Sequence, residues 1–245
     1  MNRIDVARQQ RHRLVLAMTA DRSLYITNGK FDLAKWKSRL NTLNTATIKK
    51  AVADGVADGT IVGNKLIDEP EIPQWGGVLT KSMIDQMATY AKSIFPTLPM
   101  GITNGAGGSQ WRSGERYKVL DWVGMQYSWN YNGGNIAGWR DEVLSFAKAN
   151  GVAPVFSLHI LNGGMRDKTG AWDCPNTGGK GTLSTYCRMT ADQVRTYGNA
   201  AGPYGCAMLM WKYDDLFMSK ADNVSAFKDI AALLDSKPRP SCKRP

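Results

Sequence analysis

Residues 60–77 read TIVGNKLIDEPEIPQWGG, and this stretch decides the fold. It begins as a β-branched, apolar run of strand character and stops in two adjacent acids, Asp68 and Glu69. Pro70 ends the run, because proline has no N–H to give to a ladder. Acids at the carboxyl end of a buried parallel strand lie where α/β enzymes gather their chemistry. An ordinary strand end followed by a solvated acidic turn would read the same way, so the surrounding pattern has to decide.

Outward from this stretch, strand-type runs recur at 13–18 (RLVLAM), 98–103, 119–127, 152–161 (VAPVFSLHIL) and 206–213 (CAMLMWKY), which with 60–67 makes six. Helical spacing separates them. Leu33, Trp36, Leu40 and Leu43 lie three and four apart, as do Ile136, Trp139, Val143 and Phe146. Thr80, Asn135 and Thr190 stand as caps before helical runs, and Val224, Phe227, Ile230 and Leu234 mark the last helix. Strand and helix alternating at this interval, with buried-type strands throughout, predict an α/β fold with a parallel sheet and crossover helices. No dinucleotide-binding fingerprint follows the first strand, so the expected architecture is a (β/α)8 TIM-type barrel. The expected organisation is one domain over 1–245, ending in a basic tail at 236–245. The glycine-rich stretch NGAGGSQWRSGE at 104–115 lacks the spacing of a phosphate-binding loop and opens no helix.

Composition narrows the function. Hydrophobic residues make up 43% and charged residues 21%, and no apolar run is long enough to span a bilayer. The net charge of +10 comes from scattered bases, clustered only at 8–13 and 237–244. Neither cluster has interleaved aromatics or a DNA-reading motif, so neither a nucleic-acid nor a membrane partner is expected. His12 and His159 are the only histidines and no CxxC is present, so no metal and no cofactor is expected. The even cysteine count, with one cysteine in the tail, points to two disulfides, Cys174–Cys187 and Cys206–Cys242, and to an oxidising compartment. Four free thiols in a cytosolic chain are the alternative.

GNKLIDEP, VGMQYSW and CAMLMWKYDD resemble secreted bacterial proteins of the glycoside hydrolase TIM-barrel superfamily, over nearly the whole chain. Asp68-Glu69-Pro70 is similar to the Asn-Glu-Pro that ends the fourth strand in clan A of these enzymes. The resemblance implies that Glu69 is the general acid, that Asp68 is its hydrogen-bonding neighbour and that Trp211 is the aromatic floor under a sugar. It also implies a secreted protein, although MNRIDVARQQRHR lacks the apolar core of a signal peptide. Clan A places its nucleophilic glutamate at the end of the seventh strand, where this chain reads SLHILNGG and has no carboxylate. The motif ends the fourth strand there and the second here, so two strands are expected to be missing at the front. The free edges would then be covered by self-association or by a rearranged N-terminus.

Glycosidic cleavage normally needs two carboxyl groups flanking one bond. Of the four glutamates, Glu69 alone ends a strand, which leaves Asp21, Asp214 or Asp215 for the second role. Gln126, Tyr127 and Trp129 end one strand together, where sugar contact and packing are both open readings. His159 is either a hydrogen-bonded core residue or part of the site. Trp211 either stacks on a sugar or fills the top of the barrel. Two functions follow. One is a glycoside hydrolase with Glu69 as proton donor, and the other an inactive barrel binding carbohydrate through Trp75, Trp129, Tyr131 and Trp211.

Overall fold

The computed structural model describes residues 3–19, 21–105, 114–128, 132, 134–160, 189–211, 214–238 and 240–245, with the backbone alone at Trp211 and Leu216. Trp129, Tyr131, Cys174 and Cys187 lie outside the described residues.

Helix α1 (Arg3–Gln9) leads into β1 (Leu14–Leu16). A small antiparallel hairpin, β2 (Ile26–Thr27) and β3 (Lys30–Phe31), then folds over the turn Asn28-Gly29. Helices α2 (Leu33–Asn41) and α3 (Ala46–Ala57) precede β4 (Ile61–Asp68), the strand quoted above, and α4 (Lys81–Ile94) follows it. The rest alternates: β5 (Met100–Asn104), β6 (Trp122–Tyr127), α5 (Ile136–Asn150), β7 (Ala153–His159), α6 (Ala191–Ala201), β8 (Ala207–Trp211), α7 (Asp215–Met218) and α8 (Ala221–Asp235). No helix of the described residues is long and apolar enough to cross a membrane.

The helices start where polar side chains satisfy their first amides. Thr80 accepts from Met83 N, Asn135 from Gly138 N, and Thr190 and Gln193 form a reciprocal capping box. Gly151 closes α5 in the left-handed conformation at φ 61°.

Six strands form one parallel sheet in the order β1-β4-β5-β6-β7-β8, curled as part of a (β/α)8 barrel that has eight when closed. Its convex face packs under the helices, where Leu66, Ile102, Val123, Phe156 and Leu158 are buried against α2 to α6 residues such as Trp36, Met87, Trp139 and Tyr197. The concave face divides by height. Towards the amino-terminal ends of the strands it is apolar, with Trp122, Ala153, Val155 and Cys206 packed beside Val15, Val62 and Leu209. The indole of Trp122 lies flat against Gly101, where any Cβ would overlap the ring, and against Gly63. The absence of side chains at these two glycines lets one tryptophan fill the floor of the barrel.

β1 and β8 are the two ends of the sheet, and a groove of about 330 Å³ runs between them, lined by Val15, Val62, Leu209, Phe227 and Leu234. Arg11 and Arg13 border it on one side and the tail residues Lys237, Pro238 and Pro240 on another. The tail is fixed: the expected disulfide Cys206–Cys242 is present. Arg244 donates to the carbonyls of Tyr117 (2.8 Å), Leu120 (3.0 Å) and Asn150 (3.2 Å). Its own N–H donates to Asp121 (3.1 Å), which also holds Lys92 at 2.8 Å.

Candidate active site

The upper half of the concave face is polar. Strand register aligns Asp68 with Thr103, Thr103 with Gly124 and Gln126 with Ser157. His159 lies two residues beyond Ser157 on the same face and pairs with Trp211. The strands whose lower ends bury Trp122 and Val155 therefore bring Asp68, Thr103, Gln126, Ser157 and His159 to one rim. Asp68 accepts a hydrogen bond from the Thr103 hydroxyl and pairs with Lys65 at 3.1 Å. His159 is largely buried, and burial lowers its pKa to about 4, so it stands neutral at physiological pH.

Glu69 is the first residue past β4, and its N–H still donates to Thr103 O at 2.7 Å. Its φ is +44°, in the left-handed region that glycine favours and that side chains other than Asn and Asp rarely occupy. That turn swings the carboxyl group toward the end of β5, against Gly105. A methyl at Gly105 would meet Glu69 Oε1 at 2.8 Å and Glu71 Oε1 at 3.3 Å, so two carboxyl groups converge on one Cα. Burial raises the Glu69 pKa first and the charge of Asp68 adds to it, while Lys65, Gln74 and Arg22 pull the other way. The Gln74 amide holds this corner, donating to Asp68 O (3.2 Å), Glu69 O (3.3 Å) and, at the long limit, Glu69 Oε2 (3.4 Å). Gln74 in turn accepts from Arg22, on the loop after β1.

Glu71 is the residue that sequence reasoning passed over. It sits in a proline-flanked turn and looks like a solvated loop acid, yet it is 1% exposed. One oxygen accepts the Gly105 N–H, and the other has no hydrogen-bond partner among the described residues. Burial pushes its carboxyl up to about 7. Two closely spaced prolines were the available signal, since Pro70 and Pro73 stiffen the turn and leave its side chains few directions.

The other sequence candidates make contacts of their own. Tyr127 faces the helices, 1% exposed, with ring contacts to Trp139 (5.5 Å) and Tyr197 (5.3 Å). Trp75 is buried edge-on to Phe31 and donates to Asp68 O at 2.8 Å, so it supports the β4 turn from behind. Asp21 is exposed and caps the short turn Arg22–Tyr25 by accepting from Ser23 N at 2.8 Å. Asp214 caps α7, accepting from Phe217 N at 2.7 Å. Asp215 is the first residue of that helix. No group of three or more His, Cys, Asp or Glu side chains that could hold a metal ion occurs among the described residues.

A parallel sheet curled as part of a (β/α)8 barrel is a fold that solved structures bear out. The chain is similar to the endo-β-1,4-mannanase from Thermotoga petrophila, with a TM-score of 0.58 and 12% identity over 95% of this chain and 60% of that one. It is also similar to a β-D-glucuronidase from Dictyoglomus thermophilum (TM-score 0.52, 10% identity, 99% of this chain and 43% of that one). A GH18 chitinase from Pseudoalteromonas aurantia matches at a TM-score of 0.50 and 10% identity, over 94% of this chain and 78% of that one. The chain thus spans about 60% of the mannanase's length. No family model and no curated protein matches the sequence.

Proposed function

We propose that this chain is part of a carbohydrate-active glycoside hydrolase, with Glu69 as the general acid that protonates the leaving glycosidic oxygen. The observation that carries this reading is the position of Glu69: a half-buried carboxyl, raised in pKa by burial, held at the carboxyl end of a barrel strand beside a polar rim. A general acid must keep its proton near working pH, and burial next to another acid favours that. The substrate is a sugar polymer or glycoside entering over Asp68, Gln126, Ser157 and His159, whose donors and acceptors suit hydroxyl groups. The enzyme works in an oxidising, extracellular setting compatible with Cys206–Cys242.

One observation favours a second reading, a barrel that binds sugar without cleaving it. The resembling hydrolases carry a carboxylate at the end of their seventh strand, and the matching strand β7 ends here in His159. Assays on β-1,4-mannan, chitin oligosaccharides and aryl β-glucuronides, with Glu69→Gln as control, separate the two. Hydrolysis reduced at least about 100-fold in Glu69→Gln supports the acid role. Binding by both proteins without turnover by either supports the second reading.

A further inference from the structure

We propose that Glu69 and Glu71 form one proton-sharing carboxyl pair astride Gly105, in which Glu71 is the positioning residue and stores the proton that passes to Glu69. The pairing is a property of the fold, and its use in catalysis rests on the function proposed above.

Geometry carries the inference. Glu69 and Glu71 stand on either side of Pro70, and their Oε1 atoms approach Gly105 so closely that one methyl group would touch both. Glu71 is sealed from solvent, whereas Glu69 is half-exposed. Two ionised carboxylates in this space would repel each other, and the buried one would keep one oxygen without a partner. One proton resolves both problems. A protonated Oε2 becomes a donor, and the acceptor across Gly105 is the carboxylate of Glu69.

Among the described residues, the charges that face the pair do not supply an alternative. From β4, Lys65 is engaged with Asp68 at 3.1 Å, and Asp68 adds negative charge. From the loop after β1, Arg22 is engaged with Gln74. From the residue after β5 comes the Gly105 amide, and from the segment before β6 the phenol of Tyr117, which burial keeps neutral. The pKa of Glu71, near 7 through burial, with Glu69 adding to the rise, agrees with this arrangement. Sites coupled this closely give up their protons in two steps that belong to the pair and not to either residue.

The chain has only four glutamates, so carboxyl 13C NMR on glutamate-labelled protein resolves each titration. Glu115 and Glu142 are exposed and serve as internal references. The expected result is one carboxyl titrating near pH 7. In Glu71→Gln that titration disappears while the Glu69 midpoint stays close to its wild-type position, because glutamine copies the protonated acid, and Glu69→Gln lowers the Glu71 midpoint by about one unit or more. Gly105→Ala forces the two carboxyl groups apart and reduces the coupling. Should a variant fail to fold, the wild-type curves decide, because a coupled pair shows each partner's inflection in the other's resonance. Four glutamates titrating independently would overturn the proposal. The readout does not depend on turnover. Coupling without hydrolysis leaves the pair standing and removes the proposed activity, and hydrolysis without coupling does the reverse.

Discussion

Two buried carboxyl groups, one at each end of the same sheet, are treated in opposite ways. At the amino-terminal end Asp121 has both oxygens engaged, by Lys92, by the Met100 amide and by the amide of Arg244. At the carboxyl end Glu71 is buried as deeply, and one of its oxygens has no hydrogen-bond partner among the described residues. The difference is one of partners and not of depth. A buried charge surrounded by donors ties chain segments together, and a buried acid short of donors holds a proton instead. The lower end of the barrel is therefore the part that fixes the fold, and the upper end the part with chemistry to spare.

The largest test of that contrast lies at the lower end. Replacing Cys206 and Cys242 together with alanine opens a loop of sequence separation 36 and should cost about 4 kcal/mol in urea unfolding. A loss below about 1 kcal/mol would mean that Arg244 holds the tail unaided. Asp121→Asn comes next, at about 3 kcal/mol, because it leaves Lys92 facing a neutral partner and turns an acceptor toward donors into a donor. Glu71→Gln, which copies the protonated acid, should keep its stability at pH 7, and a loss equal to that of Asp121→Asn would break the comparison.

The pH dependence sharpens it. Glu71 has a folded-state pKa above its ordinary 4.5, so its contribution is full at low pH and is lost as pH climbs to about 7. His159 is lowered from 6.5 to about 4, so its contribution is full at higher pH and is lost as pH falls. Across the shared interval the folded and unfolded chains bind equal numbers of protons from these two groups, and their effects cancel. Glu71→Gln removes one arm. Its stability should then rise by about 2–3 kcal/mol between pH 4 and pH 6.5, a slope that thermal melts of the wild type should lack. The smallest expected effect is Thr190→Ala, about 1 kcal/mol, since it removes one capping box.

The frame of this molecule was legible because its signals are local. The run at 60–67 becomes Ile61–Asp68, the caps at Thr80, Asn135 and Thr190 each start the helix they were expected to start, and Asn150-Gly151 ends one. The Cys206–Cys242 pairing was legible from the isolation of a cysteine in a tail. What resisted reading depends on contacts distant in sequence. Tyr127 and Gln126 are neighbours on one strand, and only the pleat sends one under Trp139 and the other to the rim. Asp21 and Asp214 each accept a hydrogen bond from a local amide, a contact that composition does not show. Glu71 looks like a surface residue until β5 brings Gly105 across it from 34 positions away.

The backbone of Glu69 has one more consequence. At φ +44° a glutamate gives up about 1 kcal/mol relative to glycine, since its Cβ crowds the backbone in the left-handed region. Selection for stability alone would place glycine or asparagine at position 69. Glu69→Gly should therefore fold more tightly while losing the carboxyl group proposed as the general acid. A stability–activity trade-off is written into a single torsion, and an engineer who wants a hardier variant should look for gains at the pinned lower end and leave this turn as it is.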